Sequence, residues 1–377
     1  MSLADLQLAT QVSLPTLRRA VQELTDARWI RVVGQAEANG GRPAMLFGVN
    51  DSRFVLVGVH LQLPGMRLIL SDLTGQVLDE IELFDNNVPT PGESVQSVVE
   101  YVARISSISP AQQILGVGVA TPGFIDLATG DILSIGRVPT WESFPMRRRL
   151  QAAVRLPVHI ANDVDCMAFA ELHYTRGSRA ANLAYVGFDE GVKASLFLKG
   201  ELYKSALGNA GLMAAHLLHV PELLNPGDVT RLLTIAGVNA IFEERLAGME
   251  NEAQRLYAGI VATTSLRERV HLILASACAE MPLCDAIVQE QIKALAAAIA
   301  NMILMIQPNV VVIGGLLSAL SPDLFMALEA AIRRHTPALI GNNTIIQQGK
   351  LITQSSAAIG ATHHFLQVYL SEGGGEL

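Results

Sequence analysis

The 377-residue sequence has few cysteines, and the three that it has do not form a metal-type cluster. The cysteines are odd in number (Cys166, Cys278 and Cys284), which argues for reduced thiols. The sequence also lacks an unbroken apolar stretch long enough to span a bilayer. Its first residues lack the basic-then-apolar order of a signal peptide. These absences predict a cytoplasmic protein with no membrane insertion.

Positive charge is scarce as well, with 27 Lys and Arg against 35 Asp and Glu, for a net charge of −8. Such a balance usually argues against nucleic acid as a partner. Residues 1–50, however, contain five arginines and four acidic residues, a net charge of +1, which leaves −9 for the rest. An acidic body with a near-neutral, arginine-bearing head would leave contact with DNA to the head.

The head begins with a pattern typical of two helices joined by a turn. Leu14, Leu17, Val21 and Leu24 recur at three- and four-residue intervals, which predicts a helix with one buried face, capped by Ser13. The N-terminal side chains of a recognition helix reach base edges or phosphates in the major groove. We therefore predict DNA contacts from the exposed side of this helix: Ser13, Thr16, Arg18 and Arg19.

A β-ribbon is predicted after this helix, with strands over 29–33 and 44–49 around a turn-rich segment. Arg42 lies between glycine and proline at the base of this wing, where it can enter a narrow minor groove. The alternative is a solvated arginine face beside a plain turn. A winged helix usually has one more helix ahead of the pair, so the head as given is expected to bind DNA weakly.

The body alternates apolar strands with amphipathic helices. The predicted strands cover 54–60, 66–70, 76–84, 114–120, 158–161, 183–187, 194–198 and 310–313, and the predicted helices 93–108, 287–306 and 355–370. Two buried strands end in polar or turn residues, Thr121-Pro122-Gly123 and Asn162-Asp163. This order predicts an α/β fold with a cleft at those strand ends.

Short motifs in this body resemble those of the ROK family (repressors, open reading frames and sugar kinases), in family order over nearly the whole chain. They are the Gly-Arg-Pro after the wing, Gly116–Gly123, Ile160–Asp163, Lys199–Tyr203, Gly208–Gly211 and Val312–Gly315. The resemblance implies a two-lobe, actin-like/hexokinase-like body with a sugar cleft between the lobes. Its boundaries would be 1–50 for the winged helix-turn-helix, 51–165 with 355–377 for lobe I, and 166–354 for lobe II.

The resemblance also implies which residues bind an effector. Asp163 matches the catalytic aspartate of the kinases, and Asn162 matches its sugar-binding neighbour. Thr121 and Gly123 belong to the matching turn, and Trp141 follows in the loop that covers sugars in relatives. Trp141 can stack on a pyranose or belong to the core, and the sequence does not separate these. Asn162 and Asp163 can also be no more than a cap at a strand end.

The phosphate-binding loops of the kinases are not matched. Where they carry Asp-x-Gly-Gly-Thr, this chain reads His60-Leu61-Gln62-Leu63-Pro64, which has neither a carboxylate for magnesium nor a glycine pair. The second loop, residues 187–193, contains Asp189 and Glu190, whose charges would repel a triphosphate. We therefore predict that the protein is not an enzyme.

The zinc site of the family is not matched either. Leu212 stands in place of a sugar-binding glutamate and Ala215 in place of a zinc-binding histidine, while His216 lies one residue late. The stretch 220–233 has no cysteine, so we predict neither metal nor other cofactor. Separately, Arg147-Arg148-Arg149 forms a basic run whose default interpretation is a solvated face, with an anionic effector or protein partner as the alternative.

Taken together, the sequence predicts a sequence-specific regulator of sugar-metabolism genes, most simply a repressor, with a non-catalytic kinase-like effector domain. The expected partners are a double-stranded DNA operator, a sugar or sugar-phosphate effector, and a second copy or three further copies of the chain. Two alternatives stay open. One is a sugar kinase with an added head, and the other is a regulator controlled by a protein partner.

Overall fold

The computed structural model describes residues 1–37, 43–84, 87–136, 138–175, 182–205, 208–213, 226–350 and 355–372. Its head contains two helices and a two-stranded antiparallel ribbon: α1 (Leu3–Thr10), α2 (Leu14–Asp26), β1 (Ile30–Gln35) and β2 (Met45–Val49). In α2, Leu17 and Val21 are buried, as their spacing predicts. Trp29 joins the head to the body by stacking on Phe54, with ring centroids 4.5 Å apart.

The first part of the body is a five-stranded mixed sheet. Its elements are β3 (Phe54–Leu61), β4 (Met66–Asp72), β5 (Val77–Leu83), α3 (Pro91–Ile108), β6 (Gln113–Thr121), β7 (Phe124–Asp126), β8 (Asp131–Ser134), α4 (Met146–Val154), β9 (Val158–Asn162) and α5 (Asp163–Thr175). The strand order is β5-β4-β3-β6-β9, in which β3, β6 and β9 are parallel. β7 and β8 form a separate hairpin above the end of β6.

The second part contains another five-stranded mixed sheet with helices around it. Its elements are β10 (Asn182–Phe188), β11 (Val192–Leu198), β12 (Glu201–Leu202), α6 (Pro226–Leu232), α7 (Ile235–Ala247), α8 (Asn251–Arg255), α9 (Ala258–Val261), α10 (Leu266–Ala275), α11 (Pro282–Ile306), β13 (Val310–Gly315), α12 (Pro322–Arg334), α13 (Ala338–Asn343) and β14 (Ile345–Gln348). The last helix, α14 (Ser356–Ser371), returns to the first part and packs on β3, β6 and β9. The strand order is β12-β11-β10-β13-β14.

Helices α5 and α14 pack against each other between the two sheets. This layer is thin because glycines allow backbone to touch backbone. A Cβ on Gly360 of α14 would lie 1.6 Å from the carbonyl oxygen of Cys166 in α5. A Cβ on Gly118 of β6 would lie 2.1 Å from the carbonyl oxygen of Ala361. The close packing brings the ends of β6 and β9 up to the hairpin between β10 and β11.

The α/β fold and the predicted strands are confirmed, and so are the predicted helices near residues 93, 287 and 355. Among the described residues, α11 is the one helix long and apolar enough to cross a membrane. Two thirds of its most apolar window, 67%, is buried in the protein, as in the core helix of a globular lobe. Its apolar composition is therefore accounted for by the hydrophobic core around it.

Candidate functional site

The predicted Asn-Asp pair lies where β9 ends and α5 begins. Asn162 and Asp163 are 2% and 3% exposed. Both turn an oxygen back to the first turn of α5, where the Val164 N–H donates to Asn162 Oδ1 at 3.1 Å and to Asp163 Oδ1 at 2.8 Å. The capping role is therefore real. It leaves the Asn162 amide nitrogen and the second Asp163 oxygen for other partners.

Thr121 and Gly123 come to the same place from the neighbouring strand. Thr121 is the residue of β6 directly opposite Asn162, and its hydroxyl donates to the Pro122 carbonyl at 3.1 Å. Gly123 has a φ of +88°, which disfavours any residue with a Cβ, and an added Cβ would lie 2.3 Å from the Ser134 carbonyl oxygen. The turn that the sequence singled out is thus fixed by its backbone.

These residues border a cavity of about 390 Å³ between the two parts of the body, which we call the cleft. Its walls combine apolar side chains with a few polar ones, as is usual for a small-molecule site. The lining residues that matter here are Gly123, Asn162, Asp163, Glu190, Lys193, Asn209 and Leu212. The structure therefore brings together three of the five predicted effector residues, with Thr121 buried directly behind them.

Lys193, at the cleft wall, is not a free cation. No sequence motif singled out this lysine, yet it is 4% exposed and its ammonium group is bonded to the Asp165 carboxylate. The Ser195 hydroxyl donates to the same carboxylate oxygen. Because this pair is internally neutral, and because the single charge of Arg267 is shared between Glu190 and Asp189, the cleft keeps a net negative charge from its carboxyl groups.

Burial dominates the electrostatics of Asp163. Desolvation raises the pKa of this carboxyl above its usual value. His60, the Val164 N–H, Lys193 and Arg267 act in the opposite direction and favour the ionised form. The group therefore lies in a buried, polar surrounding in which it can accept hydrogen bonds from hydroxyl groups of a ligand.

A buried network occupies the two loops that the resemblance assigns to phosphate binding. His60, at the end of β3, places its Nε2 3.0 Å from Asp189 Oδ2 in the β10–β11 turn. Arg267 of α10 pairs with the other oxygen of Asp189, and its Nη2 lies 3.2 Å from Glu190 Oε1. The side chains of His60 and Asp189 are 1% and 0% exposed. We call these three residues, His60, Asp189 and Arg267, the cross-lobe network.

His60 is neutral in this network. Burial, followed by the neighbouring Arg267, lowers its pKa to about 3. A carboxylate only accepts hydrogen bonds, so the neutral imidazole donates from Nε2 to Asp189 and carries its proton there. Sequence reasoning treated the two loops separately and missed the network, because 129 residues separate His60 from Asp189.

The same region contains the one group of described residues that could hold a metal ion. Ligand atoms of His60, Asp163 and Asp189 lie within 4.8 Å of one another. Arg267 already pairs with Asp189, and a guanidinium at that position opposes a divalent cation. His216 and His219 lie outside the described residues. The expectation of no metal stays a prediction.

Trp141 is part of the core and does not line the cleft. It is 0% exposed, its indole N–H donates to the Pro89 carbonyl at 3.0 Å, and its ring meets Phe144 edge to face. A fully buried ring with its polar atom satisfied has no face for a sugar. Of the two roles open for Trp141, the structure supports the core role. Its prediction as an effector-binding residue that stacks on a pyranose is therefore wrong.

The predicted DNA-reading side chains of α2 are exposed together. Ser13, Thr16, Arg18 and Arg19 all lie on the solvent side of the helix. Ser13 and Thr16 join their hydroxyls at 2.8 Å, and Arg19 forms an exposed pair with Glu23 at 2.8 Å. Such a pair is weak and exchanges readily. Arg42 lies outside the described residues.

Two lobes, each built on a five-stranded mixed sheet, with polar strand ends meeting in a cleft between them, define a protein of the actin-like and hexokinase-like class. Residues 57–368 match the ROK family, and the chain belongs to that family.

Relatives of the chain include regulators and kinases. A putative xylose repressor of Caldicellulosiruptor sp. (strain Rt8B.4) is 24% identical over 332 residues, which cover 86% of this chain and 81% of the relative. The structure of a ROK family transcriptional regulator, a homologue of the E. coli MLC protein, superposes with a TM-score of 0.75 at 19% identity, over 99% of this chain and 95% of that one. A ROK family glucokinase from Streptomyces griseus, solved with glucose and AMPPNP, has a TM-score of 0.67 at 18% identity, over 82% of this chain and 98% of that one. At such identities the structures share the fold.

Proposed function

We propose that this protein is a DNA-binding transcription regulator, in the simplest case a repressor of sugar-metabolism genes. Its cleft binds a neutral sugar as effector and carries out no phosphoryl transfer. The observation that carries the proposal is the cross-lobe network, because it joins protein to protein at the two loops that a kinase needs for the phosphates of ATP.

Nucleotide binding would have to break this network. A triphosphate at the β10–β11 turn would meet the carboxylates of Asp189 and Glu190, and it would have to detach Arg267 from both. Separating one partner from a buried ion pair costs about 3–5 kcal/mol, which corresponds to a loss of affinity of roughly two to four orders of magnitude. No described carboxylate in these loops is free of protein partners to hold magnesium.

The neutral charge class of the effector follows from the cleft. Asp163 and Glu190 line it, Lys193 is already neutralised by Asp165, and the one charge of Arg267 is shared between Glu190 and Asp189. A phosphorylated or acidic sugar would bring a further negative charge to this surface. A neutral sugar would instead donate its hydroxyl groups to Asp163 and accept from the Asn162 amide. The name of the xylose repressor agrees with a neutral sugar as ligand.

The head supplies the DNA-binding part of the proposal. Its order of helix, helix and ribbon is that of a winged helix, and α2 presents Ser13, Thr16, Arg18 and Arg19 outward as a recognition helix would. We propose that two or more copies of the chain, acting in the cytoplasm, place paired α2 helices on a pseudo-palindromic operator. The likeness to the solved regulator over 99% of this chain supports the winged-helix fold of the head.

The test compares binding with turnover in one preparation. Isothermal titration of the full chain with neutral pentoses and hexoses is expected to reveal a ligand, and Asp163→Asn is expected to abolish that binding. The same sugars with ATP and magnesium are expected to yield no ADP. Release of ADP that depends on a sugar would overturn the proposal, and so would equal sugar affinity in the variant.

A further inference from the structure

A second cavity, of about 230 Å³, lies behind one wall of the cleft. It is enclosed by β9, the β7–β8 turn, the segment after β12 and the C-terminal half of α14. Asn162 and Lys193 line both this cavity and the cleft. We call it the rear cavity. The roles proposed above use the cleft and not this cavity.

Cationic and imidazole groups converge on the rear cavity. They come from four different elements: Arg147 from α4, His159 from β9, Lys204 from the segment after β12, and His364 from α14. Bringing such groups together in one small space costs electrostatic energy, because like charges repel each other unless a negative charge compensates them. Convergence of this kind is typical of an anion site.

The described carboxylates of the cavity do not balance these groups. Asp165 is already bonded to Lys193 and Ser195. Glu372 is 69% exposed, and its Oε2 lies 3.9 Å from His159 Nε2, which is a weak contact in water. Arg147 donates to the carbonyl oxygen of Ala128 and interacts electrostatically with Asp126, although no described carboxylate forms an ion pair with it. Among the described lining residues there are three cations and two carboxylates, and the two imidazoles can add further positive charge.

Burial is the main reason why the pKa values of the two imidazoles are lowered. Burial, and then the neighbouring His159 and Lys204, lower the pKa of His364 to about 4, with Asp165 acting against them. Burial and Arg147 lower the pKa of His159, with Glu372 acting against them. An anion between the rings would reverse these effects, because it would favour the protonated form of both.

We propose that the rear cavity binds a small oxyanion, of the class of inorganic phosphate, sulfate or the phosphate group of a small metabolite. Arg147 and Lys204 supply fixed positive charge, and His159 and His364 donate hydrogen bonds once protonated. Since Asn162 and Lys193 form the common wall, the anion lies directly behind the surface that would hold a sugar. The site does not depend on DNA binding or on sugar binding.

Sulfate is the suitable probe, because it keeps its double negative charge at both pH 6 and pH 8. The full chain is titrated with sulfate by isothermal calorimetry, with chloride holding the ionic strength constant. We expect saturable binding that is at least about tenfold tighter at pH 6 than at pH 8, since one proton is taken up for each imidazole that the anion charges. Imidazole signals of His159 and His364 in NMR spectra are expected to shift to the protonated form as sulfate saturates the site.

Matched variants locate the site. Arg147→Gln and Lys204→Gln are each expected to weaken sulfate about tenfold, which corresponds to one lost charge contact. The control is Arg149→Gln, which removes one positive charge from α4 just as Arg147→Gln does. Arg149 is exposed and lines neither cavity, so this variant is expected to bind sulfate with the affinity of the native chain. Equal weakening in all three variants, no difference between the two pH values, or no saturable binding would each overturn the proposal.

Discussion

Removal of the Arg267 guanidinium tests the cross-lobe network. In the native chain this group pairs with Asp189, whose side chain is 0% exposed, and it also reaches Glu190, whose side chain is 13% exposed. Arg267→Gln would leave the Asp189 carboxylate buried, with only the neutral His60 as a partner. The variant therefore isolates the cost of an uncompensated buried charge.

The size of the effect follows from burial. Removing one partner of a buried ion pair typically costs about 3–5 kcal/mol. Adding Asp189→Asn to the same chain removes the stranded charge, so the double variant should lose only the hydrogen bonds, about 1–2 kcal/mol. Arg245→Gln is the control in the same lobe, because its pair with Glu290 is 37% and 29% exposed and should contribute no more than about 1 kcal/mol.

Urea unfolding of the four proteins, followed by circular dichroism, gives the ranking. The expected order of stability is native, then Arg245→Gln, then the double variant, with Arg267→Gln lowest. A single variant that unfolds no earlier than the Arg245→Gln control would refute the network as a structural link. A double variant less stable than Arg267→Gln alone would show that charge compensation is not what the pair provides.

Three further predictions concern the head, protonation and metal. Arg42→Ala should weaken operator binding by about 1–3 kcal/mol in a fluorescence anisotropy titration; unchanged affinity would remove its role in the minor groove. The free energy of unfolding should fall as pH drops from about 6.5 towards 4, by up to about 2.7 kcal/mol per pH unit for two histidines. The reason is that His60 and His364 become protonated in the unfolded chain, whereas the fold lowers their pKa values to about 3 and 4 and keeps them neutral. Asp163, whose pKa is raised, opposes this trend, and a flat urea-midpoint profile over that range would contradict it. Treatment with EDTA should leave the melting temperature unchanged, and a drop of several degrees would reveal a bound metal.

All five strands of the first sheet and three of the second were predictable, most readily those that form a compact apolar run with turn residues on either side, whereas β12 and β14 of the second sheet were not predicted. The apolar run from Ile114 to Ala120 is followed by Thr121 and by a turn at Gly123. In the structure, β6 ends at Thr121. Residues 226–275, by contrast, gave no clear pattern. The helices in this segment have between four and thirteen residues. A helix with so few turns repeats its apolar pattern too few times for the pattern to be detected.

The candidate site was predictable only where its residues are neighbours in sequence. Asn162 and Asp163 are adjacent in sequence and follow a buried strand, so their place at a cleft could be predicted. Partners that meet only in the folded chain could not be found in this way. Arg267 has no unusual neighbours in sequence, and its link to Asp189 depends on how α10 packs against the β10–β11 turn.

Trp141 illustrates the same limit for apolar residues. Its position in a loop after Pro139 allowed two roles, and the decision depended on Pro89, which is 52 residues away. The rear cavity could not be predicted either, because its four basic groups come from four separate elements. Periodicity and motifs report on segments, whereas cavities and ion pairs depend on how the segments pack.

The most direct measurement is the affinity of the full chain for its operator DNA as a neutral sugar is added, in the native protein and in Asp163→Asn. We expect the native affinity to change by about tenfold, a coupling of roughly 1.4 kcal/mol, while the variant binds DNA equally well and ignores the sugar. A native protein whose DNA affinity is unaffected by every sugar that it binds, or a variant that responds normally, would contradict regulation through the cleft.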